Sequence, residues 1–454
     1  MSGQMIIHIT PKVEALLGRL NGAGFEAYAV GGCVRDSLLG KEPQDWDLCT
    51  SATPEEIKRC FANERTVLTG EKYGTVTVLL DGEPFEITTF RAETGYGDSR
   101  HPDGVRFLTS LREDLARRDF TVNAMAADRE GAVTDCFGGM EDLKNGLIRC
   151  VGEPRQRFEE DALRILRGLR FASKLGFSME EDTAAAILSM KEKLLLVAQE
   201  RLRKELEGLL CGKWAGQVLR QFSQVLFVLI PELAPCEGFA QYNYHHAFDV
   251  WEHSLRALES CVTEPVLRLV ALLHDVGKPA TFFFDKQLVG HFYGHSTVGA
   301  ALCDRILRRL RYDNETRSAV TELVAFHSYP LQGESERQLR RLLGRLGEAQ
   351  TRRLLQLRRA DRLGKGTEAP EQIEADICNA QALLQQVLNK ELCFSLKQLK
   401  ISGRELMAMG VPQGQQVGLL LTQLLEAVVE ERVENEPAKL VEYAQGLILQ
   451  KEID

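Results

Sequence analysis

Val30-Gly31-Gly32-Cys33-Val34-Arg35-Asp36, followed shortly by Asp45-Trp46-Asp47, decides how the first part of this chain is read. A glycine pair turns the backbone tightly and brings bare N–H groups close to an anion, which suits phosphate. On a strand of period 2, Asp45 and Asp47 point to one side and Trp46 to the other. Two carboxylates on one face beside a phosphate cradle can share divalent cations. That device clamps the attacking and leaving oxygens in phosphoryl or nucleotidyl transfer. A glycine turn and an acidic surface loop would explain either motif alone; their order and spacing favour the chemical reading.

The flanking pattern supplies a frame. Residues 10–24 read as a helix stopped by Gly24, and 28–30 as a strand entering the glycine pair. Residues 34–39 continue as a short helix, and 45–49 form the next strand. Thr53-Pro54-Glu55-Glu56 has the cap, proline and acids of a helix start. Two apolar runs, 74–80 and 85–90, flank Asp81-Gly82 and predict a hairpin. Glu86, on the second run, is a candidate third carboxylate; a solvent-facing strand residue is the plain alternative. From about residue 155 the pattern is helical, with breaks at Pro231 to Gly238 and Gly364 to Pro370. No internal repeat or low-complexity tract is evident.

With 454 residues, 44% of them hydrophobic and 27% charged, the chain reads as an ordinary soluble protein of several domains. Its 11 cysteines are scattered singly and form no C-x-x-C pair, which disfavours a zinc ribbon or disulfide framework and suits a reducing cytosol. No signal peptide is expected, and no apolar run reaches the roughly 18 residues of a membrane span. A cytoplasmic protein without membrane partner is the expectation. The net charge of −9 argues against a nucleic-acid partner only on average, because residues 301–364 hold 14 arginines against 8 acids. A basic face on an acidic protein is a phosphate footprint, or a set of solvated helix faces.

Three further segments carry chemistry. Glu93 to Gly104 is polar and glycine-rich and reads as a mobile active-site loop. In Arg117-Arg118-Asp119, Arg118 is a candidate triphosphate ligand with Asp119 fixing it in place; a structural ion pair is the alternative. In Glu160-Asp161-Ala162-Leu163-Arg164-Ile165-Leu166-Arg167-Gly168-Leu169-Arg170, Asp161 and Arg164 are expected side by side on one helix face. A carboxylate accepts from an exocyclic amino group and a guanidinium donates to a ring nitrogen. Cytosine and adenine offer that pattern, while guanine and uracil reverse both polarities. Such a pair accepts CTP and ATP and rejects GTP and UTP, because mismatched buried polar groups stay unpaired. Arg167 and Arg170, on following turns, are placed to reach triphosphate or sugar.

Taken in order, Val30–Asp36, Asp45–Asp47, Glu86–Arg91, Arg117–Ala124, Glu160–Arg170 and Glu200–Leu206 resemble the motif set of class II tRNA nucleotidyltransferases, the CCA-adding enzymes of the polymerase-β-type superfamily. The resemblance covers residues 25–215. It implies an α+β fold: a small mixed sheet with helices as head, then an all-α neck, body and tail. It implies Mg²⁺ at Asp45 and Asp47, nucleotide contacts at Gly31, Gly32, Arg35, Arg118, Asp119, Arg167 and Arg170, and base reading by Asp161 and Arg164. The implied partners are CTP, ATP and the tRNA acceptor arm. Bacterial poly(A) polymerases share most of these motifs, but the segment Thr69 to Val78 resembles the CCA-adding version, and no long basic C-terminal tail is seen. The loop at 92–107 looks full length, which favours complete CCA addition, although an A-adding specialist also fits.

A second constellation lies further on. Seven of the nine histidines fall between 245 and 327. His253, His274-Asp275, His295, His327 and Asp361 come from separate predicted helices, and such imidazoles and carboxylates make a transition-metal or Mg²⁺ site. A lone helical histidine would be structural; six such residues in this order are a cluster. The stretch 240–365 resembles an HD-superfamily metal-dependent phosphohydrolase, with His253, His274, Asp275 and Asp361 in the defining positions and His295 and His327 as ligands of a second metal. The expected domains are a head (1–150), a helical neck (151–235), an HD-type body (236–366) and a helical tail (367–454).

Overall fold

The computed structural model describes residues 5–70, 74–94, 104–329, 336–390 and 396–451. They form two compact units, residues 1–231 and 232–454.

The first unit begins with α1 (Pro11–Gly22), whose Val13, Leu16, Leu17 and Leu20 recur at helical spacing and are buried. Then come β1 (Ala27–Val30), α2 (Gly32–Leu38), β2 (Asp47–Thr50) and α3 (Pro54–Cys60). Thr53 and Glu56 close a reciprocal capping box on α3. β3 (Arg65–Gly70), β4 (Thr75–Leu80) and β5 (Glu83–Thr89) follow. The expected hairpin is present: Asp81 and Gly82 both have positive φ, +51° and +80°, as its two-residue turn requires. Residues 95–103 of the expected loop lie outside the described residues, but β6 (Arg91–Thr94) and β7 (Gly104–Phe107) at its two ends pair antiparallel. α4 (Leu111–Ala116), β8 (Met125–Ala127) and β9 (Val133–Asp135) complete the head sheet, ordered β3-β4-β5-β2-β1-β8-β9. All its pairings are antiparallel except β2 with β5. Val30, Cys49, Phe90, Leu108, Leu115 and Ala126 pack as one cluster behind the strand ends.

The rest of this unit is α5 (Gly139–Asn145), β10 (Leu147–Ile148), α6 (Pro154–Glu160), α7 (Leu163–Leu175), β11 (Ser178–Met179), α8 (Glu181–Met190), α9 (Gln199–Leu210), α10 (Ala215–Gln221) and α11 (Ser223–Leu229). One expectation fails here. The strand predicted over 45–49 starts only at Asp47, so Asp45 lies in the preceding loop and its direction is not set by strand alternation.

The second unit is helical apart from one small ribbon. It comprises α12 (Val250–Ser260), α13 (Pro265–Leu273), α14 (Lys278–Thr281), the ribbon β12 (Phe283–Phe284) and β13 (Gly290–His291), α15 (His295–Arg309), α16 (Asn314–Phe326) and α17 (Glu336–Lys365). Gly347, at φ +73° and ψ +173°, breaks α17 into two helices. α18 (Pro370–Asn389) packs against α17, and α19 (Gly403–Ala408), α20 (Gln415–Val429) and α21 (Pro437–Lys451) gather around Leu406, Leu420, Leu424 and Leu440. No helix among the described residues is long and apolar enough to cross a membrane, and every described cysteine is free.

Phe120 is fully buried, meets Phe171 of α7 edge-to-face at 5.9 Å, and leaves no room for a larger residue at Gly168, whose added Cβ would lie 3.0 Å from its ring. Phe120→Ala is expected to destabilise the first unit by about 3–5 kcal/mol in urea denaturation, the usual range for deleting a buried phenyl ring.

Candidate active site and metal centre

At the head, the parallel pairing of β2 and β5 sets Asp47 directly opposite Glu86, so both side chains leave the same face of the sheet. Asp47 opens β2 and Glu86 lies midway along β5; both keep exposed surface, and the buried core residues Leu48 and Ile87 follow them. Burial pushes the Asp47 carboxyl above its ordinary value; Arg118 pulls it back and Asp45 pushes it up again. Asp45, Asp47 and Arg118 are therefore electrostatic neighbours, and a cation would relieve the carboxylate repulsion.

The glycine pair positions an arginine as well as the backbone. Gly31 sits at φ +86° before α2, and a Cβ there would lie 3.1 Å from Arg118 Nη1. A side chain would be strained by the backbone and would crowd the guanidinium. Arg118 itself pairs with buried Asp114 at 3.5 Å. Asp119 does not hold Arg118, as the sequence suggested. It receives Arg167 instead, at 2.9 Å from Nε and 2.7 Å from Nη2. Burial raises the Asp119 carboxyl, but the Arg167 charge and hydrogen bonds, Arg164 and the Phe120 N–H outweigh it and hold it near about 2.

Asp161 and Arg164, expected to read the base, are arranged differently from expectation. The helix ends at Glu160, and Asp161 is extended (φ −146°, ψ 103°) before α7 begins at Leu163. Asp161 and Arg164 thus do not share one helix face. Asp161 accepts from the Leu163 N–H at 3.1 Å and from Arg201 of α9 at 2.7 Å. Arg164, 8% exposed, donates to Glu160 at 2.8 Å and to the Arg117 carbonyl at 2.9 Å. A break wins over a continuous helix because the Asp161 carboxylate finds a backbone N–H and a distant arginine outside the helix. Arg170 pairs with Glu205, and Arg167 lies 3.5 Å from the same carboxylate. Arg35 donates to Asn123 at 2.6 Å and to Asp36 at 2.9 and 3.0 Å. The guanidiniums of Arg35, Arg167 and Arg170 surround the Phe171 ring at 5.4, 5.5 and 4.3 Å. Asn123, Phe171, Arg201 and Glu205 were not singled out as site residues. The motifs around them, 117–124, 160–170 and 200–206, were the available signal.

In the second unit all six sequence-picked residues converge. His253 (α12) and His274 (the end of α13) face each other with Nε2 atoms 3.0 Å apart. Asp275 Oδ2 lies 3.2 and 3.3 Å from these nitrogens, and Asp361 Oδ1 (α17) 3.2 and 3.6 Å. The Nε2 atoms of His295 and His327 are 3.1 Å apart, and Asp275 Oδ1 lies 3.6 and 3.5 Å from them. Asp275 thus joins two ligand sets, one oxygen to each. Backbone carbonyls fix the tautomers: Nδ1 of His274, His295 and His327 donates to Ala271, Phe292 and Val324 at 2.9, 2.8 and 2.6 Å. Their Nε2 lone pairs consequently point inward. Two imidazole lone pairs 3.1 Å apart beside a carboxylate repel unless a cation lies among them, so the donor set fits metal ions.

Lys278, His246 and Gln241 complete this floor and were not picked from the sequence. Lys278 is 4% exposed; its Nζ is 2.7 Å from Asp275 Oδ2, 2.7 Å from Gln241 Oε1 and 3.2 Å from His246 Nε2. The signal was its position three residues after Asp275, one turn on. A cavity of about 640 Å³ opens over Asp275, His295, His327 and Asp361.

Comparison with known proteins finds matches within both units. The poly A polymerase head domain model matches residues 27–149, the probable RNA- and SrmB-binding site of polymerase A 176–236, and the putative second domain of tRNA nucleotidyltransferases 296–444. The seven-stranded mixed sheet with Asp47 and Glu86 on one face lies within the segment that matches the poly A polymerase head. The CCA-adding enzyme of Leuconostoc mesenteroides is 52% identical over 206 residues, 45% of this chain and 51% of that protein. That of Bacillus licheniformis is 44% identical over 248 residues, 53% and 62% of the two chains. The chain thus spans about half the length of the curated relatives it matches. The crystal structure of the Bacillus stearothermophilus CCA-adding enzyme in complex with CTP superposes with a TM-score of 0.71 at 28% identity, covering 98% of this chain and 99% of that one. The chain is thus similar to bacterial CCA-adding enzymes over its first half in sequence and over nearly its whole length in fold.

A carboxylate with a lowered folded-state pKa stabilises the fold above its unfolded pKa of about 3.9, and this contribution fades as pH falls towards the folded value. Asp119→Asn is expected to lower the urea midpoint at pH 7. The gap to the parent chain should narrow as pH falls from about 5 to 2; a gap constant with pH would mean that the charge on Asp119 does not stabilise the fold.

Proposed function

We propose that this protein adds C, C and A to the 3′ end of tRNA from CTP and ATP without a template, releasing pyrophosphate. The observation that carries the reading is the register of Asp47 opposite Glu86 beside Arg118, in a chain related along nearly its whole length to one CTP-binding CCA-adding structure. Asp45 and Asp47, with Glu86 beside them, would hold two Mg²⁺ ions. Bound there, the metals lower the pKa of the tRNA 3′-hydroxyl and neutralise the departing pyrophosphate. Arg118 and Arg35, each oriented by a carboxylate, meet the triphosphate near Gly31 and Gly32. Arg167 and Arg170, tied to Asp119 and Glu205, face the sugar or phosphates. Asp161 accepts the amino group of cytosine or adenine and Arg164 donates to the ring nitrogen. Their support is rigidity: Arg201, Glu160 and the Arg117 carbonyl fix both side chains at the break before α7. Basic helices hold the acceptor arm by shape and phosphate, and a cytoplasmic location suits such a substrate.

Purified protein with Mg²⁺ and a tRNA lacking its 3′ end, supplied with CTP, ATP or both, tests this reading. Two cytidines, one adenosine and a stop are expected. Adenosine added only to a tRNA ending in CC would make it an A-adding enzyme, and an unlimited tail a poly(A) polymerase. Asp47→Ala should lower incorporation roughly 10³-fold or more. Asp161→Ala or Arg164→Ala should admit GTP and UTP, which a site built on hydrogen bonds otherwise rejects by about 10⁴-fold; intact discrimination would remove the pair from base selection.

A second reading rests on the bridged histidine cluster: a metal-dependent phosphohydrolase of HD type. His253, His274 and Asp361 would hold one divalent ion, His295 and His327 a second, and Asp275 both. Metals bound there activate water for attack on a phosphoester. With Mn²⁺ or Mg²⁺, Asp275→Ala should abolish release of phosphate from phosphomonoesters and leave CCA addition intact; loss of neither activity would refute this second site.

A further inference from the structure

Asn123 closes a single turn of 3₁₀ helix, Thr121–Asn123, between α4 and β8, with its N–H bonded to the Phe120 carbonyl at 2.9 Å. It is 6% exposed, so both ends of its side-chain amide need partners within the fold. One end meets a cation and the other an anion. The Arg35 guanidinium donates to Oδ1 at 2.6 Å, and Nδ2 donates to Asp119 Oδ1 at 3.4 Å. A guanidinium only donates and an ionised carboxylate only accepts, so this orientation of the amide is forced. Aspartate in its place would face Asp119 with a second negative charge, and lysine would face Arg35 with a second positive one.

Asp119 carries the chain of contacts further. Its Oδ2 takes Arg167 of α7 at 2.9 and 2.7 Å, and its Oδ1 also accepts from the Phe120 N–H at 2.8 Å. Arg35, on α2, is held on its other side by Asp36. Two guanidiniums from different helices are therefore joined through one amide and one carboxylate. They converge in space, since both lie against the Phe171 ring, at 5.4 and 5.5 Å. A Cβ on Gly32 would lie 3.6 Å from Arg35 Nη2, so this guanidinium runs along the glycine pair. Like charges gathered so closely repel, and a polyanion bound at both relieves the repulsion. A relay that shares one carboxylate between the two cations holds them in place before that anion arrives.

We propose that Asn123 is a positioning residue for the polyphosphate of the incoming nucleotide: its amide locks Arg35 to the Asp119–Arg167 pair, so that the two guanidiniums bind the phosphates as one unit. This rests on the nucleotide-transfer reading above. Asn123 is buried and acts through Arg35, touching neither the phosphates nor the reacting atoms. Its loss weakens every nucleoside triphosphate alike, while the choice of base, assigned to Asp161 and Arg164, stays as it was.

The test uses the full chain with Mg²⁺ and calorimetry. Asn123→Ala should raise Kd for CTP and for ATP about 10- to 100-fold, the cost of one lost hydrogen bond to a charged group. Cytidine, which carries no phosphate and is read by displacement of CTP, should keep its Kd within about twofold. Arg35→Ala should weaken CTP similarly, and adding Asn123→Ala to it should cost nothing further. Additive losses would overturn the action through Arg35. Equal losses for CTP and cytidine would mean general damage to the site and overturn the proposal, as would an unchanged Kd for CTP. On a tRNA ending in CC, KM for ATP should rise in step with Kd, and GTP should stay excluded. A parent chain that binds CTP but incorporates nothing would remove the CCA reading and leave the binding cycle to decide Asn123. One that binds neither CTP nor inorganic tripolyphosphate would overturn both.

Discussion

Charge taken out of water must find a partner, and this constraint shapes both units of the protein. Asp119 is 8% exposed and would be costly as a lone carboxylate; Arg167, from a helix 48 residues away, neutralises it. That one pair ties the segment after α4 to α7, and α7 also carries Arg164, Arg170 and Phe171. Asp275, 2% exposed, is met by three histidines within 3.5 Å and by Lys278. The helices carrying these partners are thereby fixed about a single carboxylate. In each case assembling the fold and assembling the site are the same event.

Local chemistry was legible in the sequence; long-range partnership was not. The Asp81-Gly82 turn, the capped start of α3 and the glycine pair are decided within a few residues, and the structure has them. The histidine cluster was legible because so few residue types ligate metals and so many of them gathered in one stretch. The break at Asp161 was hidden, since Glu160 to Arg170 has an unbroken amphipathic period. It is decided by Arg201, 40 residues on, which the period cannot report. The exchange of Arg118 for Arg167 at Asp119 has the same cause: neighbours in sequence lost to a partner brought by packing. Asp45 shows a smaller limit, for strand alternation fixes direction only inside a strand and this one starts two residues later.

The two candidate sites solve the problem of holding like charges in different ways. At the head, Asp47 and Glu86 are presented by adjoining strands and keep surface open to solvent, although burial still holds the Asp47 carboxyl above its ordinary value. At the second site the cluster is largely buried, and backbone carbonyls behind His274, His295 and His327 decide which nitrogen faces inward. The first arrangement leaves its carboxylates open to solvent, whereas the second holds its donors in place through the fold.

Asp275 gives one oxygen to each ligand set. A cation held by Oδ2 withdraws electron density from the whole carboxylate, so Oδ1 becomes a poorer donor for the next ion. If cations occupy both sets, loading would be negatively cooperative: the two positions would fill one after the other, and metal content at equilibrium would rise in two separated steps. A titration fitted to two identical, independent sites would return an affinity that belongs to neither.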